Sequence, residues 1–233
     1  VTFLNYFTML GKYGVPDGCV VFERKGYKPG PPPWRWEESS KPLCGVSIVD
    51  GNIDDCTADL HVEFANAFVG GGVMTGDAAM EEILFLVKPE LMVAMALQLR
   101  MRDEEAICVS GALKYSCVKG FGQSFEFDGE CPSFNTGSPA KVCAIDAIRG
   151  GGPAFTEAAL LRDMNKARVA FDGANEVATG HWGCGAFGNN HDLMFLKQWL
   201  AASEAGNSML YYHDFNRNQS HHIVPLFRKL KHL

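Results

Sequence analysis

Apolar positions recur along the chain in two rhythms. Short runs bounded by Gly or Asp and rich in β-branched residues read as strands at 19–23, 46–49, 62–65, 106–110, 142–148, 177–179 and 209–212. Other stretches carry the helical period. Residues 1–13 predict a helix ending near Gly11 or Gly14, and Pro89 opens another that runs to about Leu99. That second helix is apolar nearly all round, so it is expected to be buried. Leu160, Met164, Ala167 and Phe171 form one apolar stripe, on a helix capped by Thr156; Leu193, Leu196 and Leu200 form another. Strands alternating with helices predict an α/β fold whose central mixed sheet is covered on both faces. In such sheets ligands bind in the loops beyond the strand ends.

The 233 residues suffice for one domain with a sizeable core. A rigid connector, Pro29-Gly30-Pro31-Pro32-Pro33, leads into Trp34-Arg35-Trp36, and no internal repeat is present. A hydrophobic content of 47% with 21% charged residues is ordinary for a globular domain. The net charge of -6 removes any global basic field, so a phosphate-rich ligand would need local backbone N–H groups and helix N-termini. None of the eight cysteines forms a C-x-x-C pair, and Cys108 and Cys143 lie in strand runs where a reduced cysteine acts as a small hydrophobe. The reading is a reducing intracellular setting, nucleus or cytoplasm or both, with no signal peptide and no membrane span. Because the chain begins at Val1, an upstream region is expected to have been cut away. His181 and His191 lack metal-ligand spacing, so neither metal nor cofactor is expected. His221-His222 and the basic Arg228, Lys229 and Lys231 read as a solvated tail.

Two glycine loops carry the chemistry. In the first, a strand ends near Asn66 and runs into Gly70-Gly71-Gly72, and a seven-residue spacer leads to Met80-Glu81-Glu82 at the head of an apolar helix. Consecutive glycines mark backbone conformations or close approaches that side chains forbid. In the second, 178–188, a strand runs through Gly183-Cys184-Gly185-Ala186-Phe187 to a helix beginning near Asp192, the arrangement that cradles diphosphates. Neither loop is a Rossmann or Walker A loop. Two such loops suggest one cleft gripping a single diphosphate from both sides. A third cluster, Gly150-Gly151-Gly152-Pro153, has no nearby carboxylate pair and reads as a plain loop. Cys184 has no indicated His partner and reads as a small loop residue, and Trp182 as at least partly core.

These motifs resemble the poly(ADP-ribose) glycohydrolase family, whose signature is three glycines, six to eight residues, then Gln-Glu-Glu. The similarity continues through 62–68, the Pro89-Glu90-Leu91 helix start, 111–121, Ala144-Ile145-Asp146-Ala147, Asn165-Lys166-Ala167, 178–188 and 201–206. The resemblance implies a macrodomain-like three-layer α/β/α fold with a central mixed sheet. It also implies a single catalytic domain over 1–233, with an accessory helical or extended part at 1–45, a core at 46–215 and a tail at 216–233. It implies release of ADP-ribose from polymer, with poly(ADP-ribose) and ADP-ribosylated proteins as partners, no sequence-specific nucleic acid and a monomeric state.

Residue by residue, the resemblance makes Glu82 the acid/base, sets Glu81 on the ribose hydroxyls and gives Glu63 a supporting carboxylate role. Asn66 places the ribose, while Gly70, Gly71 and Gly72 together with Gly183, Cys184, Gly185, Ala186 and Phe187 hold the diphosphate, Phe187 lying against the distal ribose. Phe121 closes over the ligand, Phe215 supports adenine and Asp54 is an adenine partner. Three positions depart from the family: Met80 stands for Gln, Glu63 for Asp and His181 for Asn.

The chemistry is consistent with this assignment. Cleavage of a ribose–ribose link passes through an oxocarbenium-like state, so the leaving oxygen needs a proton and the cation needs negative charge nearby. Adjacent helical residues point about 100° apart, so Glu81 and Glu82 divide the roles. A helix N-terminus favours the charged carboxylate, whereas burial, Glu81 and a bound diphosphate disfavour it, and substrate binding is expected to protonate Glu82. The competing reading is a macrodomain that binds ADP-ribose or its polymer without cutting it, supported by Met80 and Glu63.

Overall fold

The computed structural model describes residues 1–134 and 139–214, together with Pro225 and Lys229. The strands among them are β1 (Val21–Gly26), β2 (Gly45–Val49), β3 (Leu60–Phe64), β4 (Glu105–Ser110), β5 (Ser116–Lys119), β6 (Glu126–Glu130), β7 (Lys141–Ile145), β8 (Glu176–Gly180) and β9 (Met209–His213). The helices are α1 (Thr2–Tyr13), α2 (Met80–Val87), α3 (Val93–Leu97), α4 (Glu157–Phe171) and α5 (His191–Ala205). Seven strands make one sheet in the order β1-β4-β7-β3-β8-β9-β2. β1, β4 and β7 pair antiparallel, and the sheet from β7 to β2 is parallel.

Period-two alternation divides the core between the two faces. Ala106, Cys108, Cys143 and Ile145 pack with Phe171, Phe195 and Trp199 of α4 and α5. Ile107, Val109, Val142 and Ala144 pack on the other face with Phe85 and Leu91. The result is the expected three-layer α/β/α arrangement with a mixed sheet. The boundary at residue 45 does not divide that sheet, because β1 pairs along its whole length with β4. The proline-rich connector is pinned by Trp34 and Trp36, whose indole N–H groups both donate to Asn165 Oδ1, at 2.9 and 2.8 Å.

Three sequence expectations are corrected, and one hairpin is added. The segment after Pro89 is a 3-10 turn over Pro89–Met92 followed by the short α3, and it is only partly buried: Val93, Leu97 and Leu99 are exposed while Pro89, Leu91 and Ala94 are covered. The buried face of α5 is Met194, Phe195, Lys197, Gln198, Trp199, Ala201 and Ala202; of the Leu193-Leu196-Leu200 stripe, Leu196 packs half-buried against the core while Leu200 is exposed. Polar groups occupy that face because they have partners. Gln198 Nε2 donates to Gly180 O at 3.0 Å, and Lys197 Nζ lies 2.8 Å from Asp163 Oδ2. The β5–β6 hairpin was not anticipated, since β6 reads Glu-Phe-Asp-Gly-Glu and exposes alternate residues, a weak β signal. Finally, Cys108 and Cys143 stand opposite each other in the β4–β7 register and form a disulfide, so they are not two reduced thiols.

Three adjacent strands, β7, β3 and β8, run parallel, so the loops after them emerge side by side at one edge of the sheet. Those loops contain all three glycine clusters.

Candidate active site

The first loop begins where β3 ends and turns through Gly70 at φ 98° and Gly71 at φ 48°. A side chain at either position would be strained and would collide, at Gly70 with the Met95 side chain and at Gly71 with the two acids. A Cβ there would land on Glu82 Oε1 and lie 2.9 Å from Glu81 Oε2. The triple glycine therefore lets bare backbone approach the two carboxylates. Glu81 Oε1 accepts the Gly70 N–H at 2.6 Å and its Oε2 accepts the Asn66 N–H at 3.1 Å. Glu82 Oε1 accepts the Gly72 N–H at 2.7 Å, and Oε2 accepts the Ala79 N–H at 3.0 Å. That last bond is the return half of a capping box; Ala79 has no side-chain acceptor for the other half.

Both glutamates are buried, and burial first, then repulsion from Glu82, pushes Glu81 up to about 7 against the opposing N–H bonds of Asn66 and Gly70. The geometry reassigns one expected role. With their N–H groups engaged by the glutamates, Gly70 and Gly72 hold the carboxylates rather than a diphosphate in this state.

Glu63 lies on β3, fully buried, with neither carboxyl oxygen hydrogen-bonded among the described residues. Burial, followed by the charges of Glu81, Glu82 and Asp54, pushes it well above the ordinary carboxyl range. Asp54, the expected adenine partner, sits between Lys88 Nζ at 2.7 Å and Lys114 Nζ at 2.9 Å. Burial opposes its charge, yet the two lysines together hold it below its ordinary value. Met80 packs beside Ile53 and Ala58, so the departure from Gln replaces a polar group with an apolar contact.

The second loop follows β8. Trp182 is core, its indole donating to Ile145 O at 3.0 Å, and the buried His181 places Nε2 3.0 Å from Asp214 Oδ1. Gly183 has φ 69°, and a Cβ there would meet Ala147 Cβ at 2.6 Å. Asn189 Nδ2 donates to Ile148 O at 2.6 Å and Gly183 O at 3.0 Å, tying this loop to the one after β7. Asn190 then caps α5 by accepting the Leu193 N–H at 2.9 Å. Between these anchors, the N–H groups of Gly183, Gly185, Ala186 and Phe187 have no partner among the described residues. Unpaired N–H groups before a helix N-terminus form a cradle for an anion. Burial pushes the Cys184 thiol up to about 12, which suits a loop residue and not a nucleophile.

The third glycine cluster is more than a plain loop. The Gly150 N–H donates to Phe187 O at 2.7 Å, and a Cβ at Gly150 would run into the Gly188 backbone. Arg149 lays its guanidinium over the Phe187 ring, 4.9 Å from the centroid. Phe121 is exposed, and the Gly122 N–H donates to Ala78 O at 2.9 Å, seating Phe121 beside the start of α2. Phe215 lies outside the described residues. Sequence reasoning missed Asn189 and Arg149. The paired asparagines just before the α5 period were a legible cap signal, whereas nothing local marked Arg149.

Comparison with known proteins places this geometry. The model described as "Poly (ADP-ribose) glycohydrolase (PARG), Macro domain fold" matches residues 34–222. Probable poly(ADP-ribose) glycohydrolase 2 of Arabidopsis thaliana is 30% identical over 289 aligned positions, covering 96% of this chain and 55% of that protein. Poly(ADP-ribose) glycohydrolase 2 of Caenorhabditis elegans is 31% identical, covering 84% of this chain and 46% of that one. The chain thus spans about half the length of the curated relatives it matches. In fold it resembles the poly(ADP-ribose) glycohydrolase of Thermomonospora curvata, with a TM-score of 0.57 and 14% identity over 89% of this chain and 85% of that one. It also resembles the Deinococcus radiodurans enzyme in complex with ADP-ribose, with a TM-score of 0.53 and 18% identity over 82% and 86%. The match from Trp34 onward takes in both glycine loops and the glutamate pair, and the chain belongs to the poly(ADP-ribose) glycohydrolase family, macro domain fold.

Proposed function

We propose that this chain hydrolyses the ribose–ribose O-glycosidic bonds of poly(ADP-ribose), releasing ADP-ribose. The observation that carries the reading is the clamp on α2: two buried glutamates from its first turn, each held by two backbone N–H groups. The N–H cradle at 183–187 takes the diphosphate, and the loop after the neighbouring strand β3 holds the α2 carboxylates beside the adjoining ribose. Glu81 accepts the ribose hydroxyls. Glu82 donates a proton to the leaving ribose oxygen and then takes one from the attacking water. Phe121, exposed beside the start of α2, covers the ligand.

The test is incubation of the purified chain with labelled polymer. Release of ADP-ribose is expected, and Glu82→Gln should cut it by about 10²–10⁴-fold, the range for losing a general acid. An unchanged rate in that variant would remove Glu82 from the role. Met80, which gives an apolar contact where the family has Gln, favours the second reading, a module that binds polymer without cutting it. Retention of polymer with no product would establish it.

A further inference from the structure

The cradle at 183–187 offers N–H dipoles but no full positive charge of its own. A helix N-terminus is equivalent to roughly half an elementary charge, and the chain as a whole is at -6. A full positive charge beside the cradle would strengthen its hold on a diphosphate, or on a polymer of them. Arg149 stands beside the cradle. It follows β7, is exposed, and has no carboxylate partner among the described residues. Its position is fixed twice over: the next residue, Gly150, donates to Phe187 O at 2.7 Å, and the guanidinium lies 4.9 Å from the Phe187 ring centroid. Stacking on an aromatic face holds the planar fork in place and leaves its edge N–H groups free to donate. Among the described residues, no other cation stacks on a ring of the glycine loops.

We propose that Arg149 is a phosphate-binding residue of this site, its guanidinium carried on Phe187 and donating to a phosphate of the ADP-ribose chain. This rests on the proposed function, since it takes the anion in the cradle to be the diphosphate of ADP-ribose. The forked guanidinium matches two phosphate oxygens, a pairing that a lysine makes only as a point charge. The phosphate belongs either to the unit seated in the cradle or to its neighbour along the polymer, and the two cases separate experimentally.

The experiment compares the parent chain with Arg149→Met, which keeps an apolar stem on Phe187, and Arg149→Lys, which keeps the charge. Thermal melts of all three should coincide, because Arg149 is exposed. Calorimetric titration with ADP-ribose should show Arg149→Met binding about tenfold or more weaker, as expected for a lost hydrogen bond to a charged group. Arg149→Lys should recover part of that loss, and the salt dependence of binding should be shallower in the methionine variant than in the parent. Loss on ADP-ribose itself assigns the phosphate to the seated unit. Unchanged ADP-ribose affinity, with a raised KM on polymer and an unaltered kcat, assigns it to the neighbour. A parent that binds ADP-ribose alongside a methionine variant equal to it on both ligands would overturn the inference while leaving the function standing. A parent that binds neither ligand would overturn both.

Discussion

Replacing Gly71 with alanine perturbs the site at the point where backbone and carboxylate come closest. The new Cβ would land on Glu82 Oε1, 3.1 Å from Glu82 Cδ and 2.9 Å from Glu81 Oε2, at a residue whose φ is +48°. Two costs add. A left-handed conformation costs an L-residue about 1–2 kcal/mol. Displacing Glu82 breaks its bonds to the Gly72 and Ala79 N–H groups, each bond to a carboxylate contributing about 1.5–3 kcal/mol net. A total destabilisation of about 4–8 kcal/mol follows if both bonds are lost. Gly206→Ala isolates the first cost, since Gly206 caps α5 at φ 84° with nothing within 4 Å of an added Cβ. Urea unfolding of the two variants gives the difference, and polymer hydrolysis by Gly71→Ala should fall by about 10²–10⁴-fold as the acid moves off its position. Equal destabilisation of both variants, with the parent kcat retained by Gly71→Ala, would refute the clamp.

Three other outcomes follow from the packing and the charges. Glu81 is raised from 4.5 to about 7 in the fold, so between those values the unfolded chain has lost a proton that the folded one keeps, and stability falls as pH rises. The parent should therefore lose about 3 kcal/mol more than Glu81→Gln in urea melts taken from pH 4.5 to 7, and equal slopes would contradict it. Asp163→Ala strips Lys197, 1% exposed, of its partner and the Ile148 N–H of its acceptor, which should destabilise the fold by about 3–5 kcal/mol, whereas a loss under ~1 kcal/mol would mean the pair is dispensable. Thiol titration of the denatured, unreduced chain should count the six cysteines outside the Cys108–Cys143 bridge, and a count of all eight would exclude the disulfide.

The strands that border the site were legible because apolar residues dominate them, with His61, Glu63 and Thr179 the polar exceptions in their interiors. β3, β7 and β8 are buried on both faces, and the glycine runs after them stand out by composition alone. The glutamate pair was legible for the same reason, as charge at the head of an apolar helix. What the sequence could not reveal is where backbone donors go. Gly70 and Gly72 look like phosphate ligands until the structure shows their N–H groups on Glu81 and Glu82. The face of α5 was misread because Lys197 and Gln198 are buried with partners on other elements, Asp163 and Gly180, and hydropathy alone scores such residues as exposed. The third glycine cluster was set aside for want of acid nearby, yet its neighbours across the sheet edge are Phe187 and Gly188.

The turn at 70–72 and the first coil of α2 are each other's mould. The carboxylates keep their pose only while that turn supplies its donors, and the turn keeps its tight curl only while those acceptors fill it. Grafting α2 onto another scaffold would move the acids without their pose. Among descendants of this chain, an insertion that carries the Gly72–Met80 spacer beyond eight residues should cost the acids their setting even where both remain in the sequence.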